Sequence, residues 1–145
     1  MTLRVLVRDD KFYQPYTGND VWQADNIQFA FQVPGQDGYW EMGLSRLADG
    51  APSVCTWTTP KGFSDPAAQV TLKTTPTADG LLYEATLPYA NFGLSDKVLT
   101  NGIKFNLLVN DNDGETREGW AEIAHGIGES KDANLFPVVM FAGTR

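Results

Sequence analysis

The sequence predicts an all-β protein, an antiparallel β-sandwich of jelly-roll type with at most one or two short helical turns. Apolar and polar residues alternate over 26–33 and 104–110, and a period of two is typical of half-buried strands. Similar short segments, separated by turns rich in Gly, Pro and Asp, follow one another along the chain. Aromatic residues make up 12% of the composition, with 14 glycines and 8 prolines, which favours strands and turns over helices.

Nine strands are predicted, in chain order. They cover residues 3–8, 26–33, 40–44, 53–57, a segment that starts at 70–72, 81–87, 103–109, 117–123 and 138–141. The second and third are joined through Gln36-Asp37-Gly38, and the fifth and sixth through Asp79-Gly80, both of which are hairpin signals. Residues 88–92 are predicted to form one helical turn before Gly93, and residues 11–22 a long polar and aromatic loop.

Length and charge limit the class of protein. A chain of 145 residues with 42% hydrophobic content builds one domain with its own core. Its formal charge of −7 would be repelled by nucleic acid and by anionic membranes. Neutral ligands and cations remain open as partners. The single cysteine, Cys55, lies in a predicted strand and is expected to be a buried structural thiol.

No motif of a known catalytic chemistry is present, and we do not predict an enzyme. His125 is the only histidine, so a catalytic zinc site with several His ligands is excluded; the residue is expected to be a loop side chain. The string GIGESK at 126–131 lacks the ending of a phosphate-binding loop. Neither the first residues nor any apolar run has the pattern of a signal peptide or a membrane span.

The long loop and the strand after it carry the candidate ligand-binding residues. Trp22 ends a loop that also contains Gln14 and Tyr16, and Gln28 lies on the polar face of the following strand. An exposed indole suits the C–H face of a pyranose, while amides at its rim bond the hydroxyls. The alternative is a core tryptophan that anchors the loop.

The other three tryptophans lie in predicted strands. Trp120 alternates with Gly119 and Ala121 and is expected to face outward. It either contacts a ligand or covers the sheet surface. Trp40 and Trp57 occupy strand-interior positions and are assigned to packing.

Two oxygen-rich segments are candidate calcium sites. Asp111, Asn112 and Asp113 precede Gly114 in a tight turn, and calcium takes six to eight oxygen ligands. The alternative is a hairpin whose side chains cap its own backbone amides. A second candidate combines 9–10 with Asn19 and Asp20.

The order of these residues resembles the family 9 carbohydrate-binding modules and the related DOMON-like sandwich domains. The matching positions are Trp22, Asp25, Gln28, Phe105, Asn106, Asn110, Asp111, Arg117, Gly119, Lys131, Asp132 and Phe136. The resemblance implies a β-sandwich module attached to a secreted polysaccharide-degrading enzyme. It further implies sugar binding between two tryptophans and calcium, held here by Asp111 and Asp113, in a structural role.

The resemblance also assigns roles and shows departures. Trp22 matches one of the two stacking positions, while Ser130 stands at the other, so Trp120, Tyr16 or Tyr13 would have to substitute. Gln28 matches a polar sugar contact, and Arg4 or Asn106 would add hydrogen bonds. The segment Ile-Asp-Gly and one strand, usual at the start of the family, do not precede Leu3. We therefore expect a fragment of a larger module, or a partner chain over an exposed edge, with a dimer as one form of it.

Three functions follow from these observations. The first is a non-catalytic carbohydrate-binding module. The alternative is a structural or interaction domain that has lost the sugar site, which Ser130 favours. A haem-binding DOMON-type domain would need axial ligands; the internal candidates are Met42, Met140 and His125, and both methionines are expected in the core.

Overall fold

The computed structural model describes residues 1–141, and within this range the chain forms nine strands. They are β1 (Thr2–Arg8), β2 (Asn26–Gln32), β3 (Trp40–Arg46), β4 (Pro52–Thr58), β5 (Thr71–Thr77), β6 (Gly80–Thr86), β7 (Ile103–Asp111), β8 (Gly119–Glu122) and β9 (Val138–Val139). Each predicted strand is present, with ends that differ by a few residues. Within the same range no helix is long and apolar enough to cross a membrane.

The strands form two antiparallel sheets, which confirms the predicted β-sandwich. The smaller sheet has the order β1-β6-β5, and the larger has the order β4-β3-β2-β7-β8, with β9 also paired to β7. Strand β2 is central: Phe29 lies opposite Met42 of β3 and Leu107 of β7. The side chains of β2 therefore alternate, as the sequence predicts, between an inner face toward the smaller sheet and an outer face.

The main core lies between the two sheets. Its fully buried side chains include Ile27, Phe29, Phe31, Trp40, Met42, Leu44, Ala85 and Leu87. The ring of Trp40 packs against Phe92 at 4.9 Å between centroids and against Phe63 at 5.0 Å. Its indole N–H donates to Gln36 Oε1 at 2.9 Å, so the one polar atom of this buried ring is satisfied.

Short helices connect the strands. The predicted turn after β6 is the helix α1 (Tyr89–Phe92), which ends at Gly93 in the left-handed region with φ 64°. A second helix, α2 (Asp96–Asn101), begins at Ser95, whose hydroxyl accepts a bond from Val98 N. Helix α2 is too short for helical periodicity to reveal it. Three 3-10 turns cover Gly18–Gln23, Ala67–Gln69 and Ala133–Leu135.

The outer face of the larger sheet is covered rather than solvated. A second apolar cluster forms there from Ala30 and Leu108 of the sheet with Ile127 and Phe136 of the segment after β8. Asn106 fixes this segment, since its amide donates to Ala124 O at 2.6 Å and accepts from Ala124 N at 3.2 Å. Outward-facing polar residues of the sheet are consequently buried.

Apolar residues at one side of the sandwich are only half-buried. In β1, an edge strand within the described part of the chain, the inward row Leu3, Val5 and Val7 is partly exposed, as are Leu107 and Val109 of β7. The sequence led us to expect an exposed hydrophobic surface, and these partly exposed residues are the place where it would lie. Coverage by a further segment or by a partner chain stays a prediction.

One core assignment was wrong. Met140, expected in the core, is 73% exposed, whereas Met42 is fully buried as predicted. Strand β9 has only two residues and directs Val139 inward, so the next side chain points away, beside Gly102. Cys55 is buried as expected, and burial raises the pKa of its thiol to about 12.

Candidate functional site

The loop from Tyr13 to Asp25 is closed at its neck by hydrogen bonds. The Asp25 carboxylate accepts bonds from Tyr13 N and from Asn112 N, the latter at 2.8 Å. The Asp25 backbone N–H donates in turn to Tyr13 O at 3.1 Å. These bonds fix both ends of the loop against β7. The loop therefore presents the 3-10 turn that carries Trp22 in a defined position.

Gln14 holds the loop together from the inside. Its amide donates to Val21 O at 2.9 Å and to Asp25 O at 3.0 Å, and its Oε1 accepts from Tyr16 N at 3.0 Å. The side chain is 3% exposed. Gln14, predicted as a ligand contact, has its hydrogen-bonding groups turned to the backbone.

A groove of about 550 Å³ lies between this loop, the outer face of β2–β4 and the segment after β8. It is lined by Asn19, Trp22, Gln28, Tyr39, Glu41, Trp57, Thr58, Arg117, Ile127, Gly128 and Lys131. Four of these residues were among the positions that carried the family resemblance.

Two tryptophans give the groove its aromatic surface. Trp22 is 41% exposed, so the prediction of an exposed ring at this position is confirmed. Trp57 is half-exposed, and its indole N–H donates to Asn19 O at 2.9 Å. Its ring covers Gly43, where an added Cβ would lie 2.5 Å from the ring. The assignment of Trp57 to packing was therefore incomplete; a glycine in the middle of the neighbouring strand was the available signal.

The polar part of the groove is largely buried. Gln28 is 5% exposed, and Glu41 2% exposed. Lys131 reaches over the sheet, and its Nζ lies 2.5 Å from Glu41 Oε1. Burial raises the pKa of the adjacent Tyr39 hydroxyl, and the Glu41 carboxylate raises it further. Sequence reasoning did not assign a role to Glu41 or Tyr39.

Arg117 closes one end of the groove between two indoles. Its guanidinium carbon lies 4.3 Å from the ring centre of Trp120 and 5.7 Å from that of Trp22. The Trp120 ring lies against Gly128, where a side chain would collide with it. Trp120 is 39% exposed and faces outward as predicted. It lies behind Arg117 and does not line the groove.

Besides Gln14 and Trp120, three further predicted ligand residues lie outside the groove. Arg4 is on β1 of the other sheet, where its Nε lies 3.3 Å from Glu84. Asn106 is fully buried and bonded to the backbone of Ala124. Tyr16 is half-buried in the loop and donates its backbone N–H to Gln14. The sequence alone could not show that these residues lie away from the groove. Alternation within one strand does not reveal to which sheet the strand belongs, because that is set by pairing over long sequence distances.

An acidic cluster lies at the other end of the loop, where β1, β2 and β7 meet. Carboxylate oxygens of Asp9, Asp25 and Asp111 lie within 4.8 Å of one another, and so do those of Asp9, Asp10 and Asp113. The two calcium candidates thus come together in one place.

Their remaining members are engaged elsewhere. The Asn112 side chain bonds Gln23 O and Gly114 N, and Asp20 Oδ1 accepts from Gln23. The backbone oxygen of Asn19 accepts from Trp57. The cluster therefore consists of the carboxylates of Asp9, Asp10, Asp25, Asp111 and Asp113. Asn19, Asp20 and the amide of Asn112 are not part of it.

Burial and charge act together on the cluster. Burial raises the pKa of Asp25 to about 7, against the two backbone N–H groups that favour its ionised form, and the charges of Asp9 and Asp111 raise it further. The pKa of Asp111 is raised too, first by burial and then by Asp9 and Asp113. A bound cation would relieve this repulsion, since hard cations take carboxylate oxygens. The donor set thus fits calcium.

The only histidine belongs to neither the groove nor the acidic cluster. His125 is exposed in the segment after β8, with Nδ1 3.6 Å from Glu122, as expected of a loop side chain. Glu122 accepts bonds from Ile127 N and Gly128 N at 3.3 Å. The GIGESK segment is thus ordered by a carboxylate.

Comparison with known proteins shows the class of fold to which this arrangement belongs. No family model and no curated protein sequence matches the chain. Among solved structures, the chain is similar to a family 9 carbohydrate-binding module from Caldicellulosiruptor kristjanssonii in complex with glucose. The TM-score is 0.68 at 16% identity, over 99% of this chain and 72% of the other. The chain therefore has the fold of a family 9 carbohydrate-binding module.

Proposed function

We propose that this domain is a non-catalytic carbohydrate-binding module that takes a sugar in the groove between Trp22 and Trp57. The observation that carries the proposal is the groove itself, in which two partly exposed indoles adjoin Gln28, Glu41 and Lys131. Aromatic faces with a few fixed polar groups suit a pyranose, whose C–H face is apolar and whose hydroxyls need partners. The fold shared with a module whose structure is in complex with glucose supports the same proposal.

The proposal assigns a role to each part of the groove. Trp22 and Trp57 both contact the sugar ring, and Gln28 bonds its hydroxyls. Glu41 and Lys131 add charged hydrogen bonds, which are stronger than neutral ones. The module would act by holding a polysaccharide near a companion polysaccharide-degrading domain, in a secreted protein. The companion domain and secretion rest on the family resemblance alone.

Titration calorimetry with soluble glucans, xylan and their monosaccharides tests the proposal. Trp22→Ala and Trp57→Ala should each lower the affinity at least tenfold, which is about 1.4 kcal/mol. Phe12→Ala removes an aromatic ring that is 40% exposed outside the groove and serves as the matched control. Wild-type affinity in both tryptophan variants would refute the stacking roles.

The alternative is an interaction domain without a sugar site. The guanidinium of Arg117 over Trp22 favours it, because it covers part of a ring that would otherwise stack on a ligand. Absence of binding across the glycan panel, with the folded state intact, would support this alternative.

We propose in addition that calcium binds the acidic cluster and stabilises the fold. Asp9, Asp25 and Asp111 supply the oxygens, and Asp113 lies beside them. Calcium at millimolar concentration should raise the melting temperature above its value in chelator, because a ligand of the folded state stabilises it. Asp111→Asn should reduce the shift, and the exposed Asp37→Asn should leave it unchanged. Equal melting temperatures with calcium and chelator in the wild type would contradict the proposal.

A further inference from the structure

Arg117 is a cation without a partner in the groove. Among residues 1–141, Arg4, Arg8 and Lys131 each lie within 4.0 Å of a carboxylate, whereas Arg117 does not. Its Nε is buried and has no hydrogen-bond partner within the described part of the chain. Burial lowers the pKa of its guanidinium, and the Glu122 carboxylate opposes that shift. A partly desolvated guanidinium without a directly bonded carboxylate is costly, and a bound anion offsets the cost.

Arg117 lines the groove and lies against two aromatic rings. Trp120 and Trp22 lie over the guanidinium at 4.3 and 5.7 Å. Arginine stacks its flat face on aromatic rings and still directs the N–H groups at its edge toward a planar acceptor. A carboxylate matches that edge with two parallel hydrogen bonds. A neutral hydroxyl supplies neither the second bond nor the charge.

The lining of the groove carries positive charge in addition to that of Arg117. Its lining holds two cations, Arg117 and Lys131, against one carboxylate, Glu41. Glu41 is already bonded to Lys131. The chain as a whole carries a formal charge of −7, whereas the groove lining carries more cations than carboxylates, with Glu122 bonded to Ile127 N and Gly128 N at its edge. Such a region raises the local concentration of anionic ligands.

We infer that the groove takes an acidic sugar, a uronic acid residue, whose carboxylate binds the Arg117 guanidinium. The pyranose ring of the uronate stacks on the tryptophans, and its hydroxyls reach Gln28 and Lys131. This inference rests on the proposed sugar-binding function and names its ligand class. It assigns to Arg117 the role of the specificity-determining residue.

Two matched pairs of sugars test the inference. Glucuronate and galacturonate differ from glucose and galactose only in the carboxylate at C6. By titration calorimetry or tryptophan fluorescence, each uronate should bind at least tenfold more tightly than its neutral partner, since charged hydrogen bonds are stronger than neutral ones. The preference should weaken as salt is raised from low ionic strength, because screening reduces it.

Variants separate the contribution of Arg117 from that of the fold. Arg117→Gln should remove the uronate preference, so that each uronate binds within a few-fold of its neutral partner. Arg117→Lys should restore part of it. Arg8→Gln, which removes a paired arginine from the other sheet, should retain the preference. The salt dependence of the wild type provides the same test where Arg117→Gln does not fold.

The outcomes distinguish the inference from the function on which it rests. Equal affinity for neutral and acidic sugars would overturn the inference and leave the proposed function standing. Binding of neither kind would overturn both. Acetate carries the carboxylate without the ring and should bind at least tenfold more weakly than glucuronate. Equal binding of acetate would show a plain anion site and would also overturn the inference.

Discussion

Substitution of Gln14 tests whether its side chain contacts a ligand or supports the loop. The structure buries this side chain and gives it three hydrogen bonds to the backbone, at Val21 O, Asp25 O and Tyr16 N. Gln14→Met keeps nearly the same volume and removes all three. Each bond contributes about 0.5–1.5 kcal/mol net, and more where a buried backbone group loses its only partner. We expect the free energy of unfolding to fall by about 3 kcal/mol.

This loss should be visible in thermal unfolding. Globular proteins unfold with an entropy of about 2.1 cal/mol/K per residue, or about 0.3 kcal/mol/K for a chain of this length. A loss of about 3 kcal/mol then lowers the melting temperature by about 10 °C. The exposed Gln69→Met is the matched control and should change stability by less than about 0.5 kcal/mol.

The opposite pattern would refute the structural role of Gln14. If Gln14→Met melts within about 2 °C of the wild type but loses affinity for a bound sugar, its amide contacts the ligand, as the sequence first suggested. A fall in stability with unchanged affinity shows that the loop keeps its shape in the folded state. A fall in both shows that the loop positions Trp22.

Two further predictions concern the acidic cluster and the sheet beneath the groove. The pKa of Asp25 is raised to about 7 in the folded state, above its unfolded value, so in chelator the stability should decrease from pH 5 to pH 8. Most of the change falls between pH 5 and pH 7, so it is at most about 2.7 kcal/mol, and solvent screening reduces it. Equal unfolding midpoints in urea at the two pH values would contradict this, and calcium should reduce the difference. Gly43→Ala places a Cβ 2.5 Å from the Trp57 ring and 2.8 Å from Cys55 Sγ. The variant should lower the free energy of unfolding by about 1–3 kcal/mol and shift the tryptophan emission. An unchanged spectrum and melting temperature would show that the ring moves freely.

The strands could be predicted because each is a local pattern. Residues 26–33 alternate in polarity over a full strand, and the Asp79-Gly80 turn separates β5 from β6 without any knowledge of their partners. The helix α2 was missed because six residues are too few for helical periodicity. Met140 was misplaced because a strand of two residues does not fix the direction of the side chain that follows it.

The site was harder to predict because pairing between distant strands assembles it. Arg4 and Gln28 both lie on alternating strands, but the pairing of β1 with β6 places Arg4 on the other sheet. Trp57 reaches the groove because β4 pairs with β3 so that its ring covers Gly43. Register of this kind depends on the whole sheet. The alternation of residues along one strand therefore does not reveal the register of its pairing.

The acidic cluster and the groove are connected through one residue. The carboxylate of Asp25 lies in the cluster with Asp9 and Asp111, and the same carboxylate accepts the backbone bond from Tyr13 that closes the loop. The loop carries Trp22 to the groove, and its far end is held by Gln14. Any change in the charge at the cluster therefore acts on the support of Trp22. Measurements of sugar affinity should accordingly be made at fixed calcium concentration and fixed pH, because both act on Asp25.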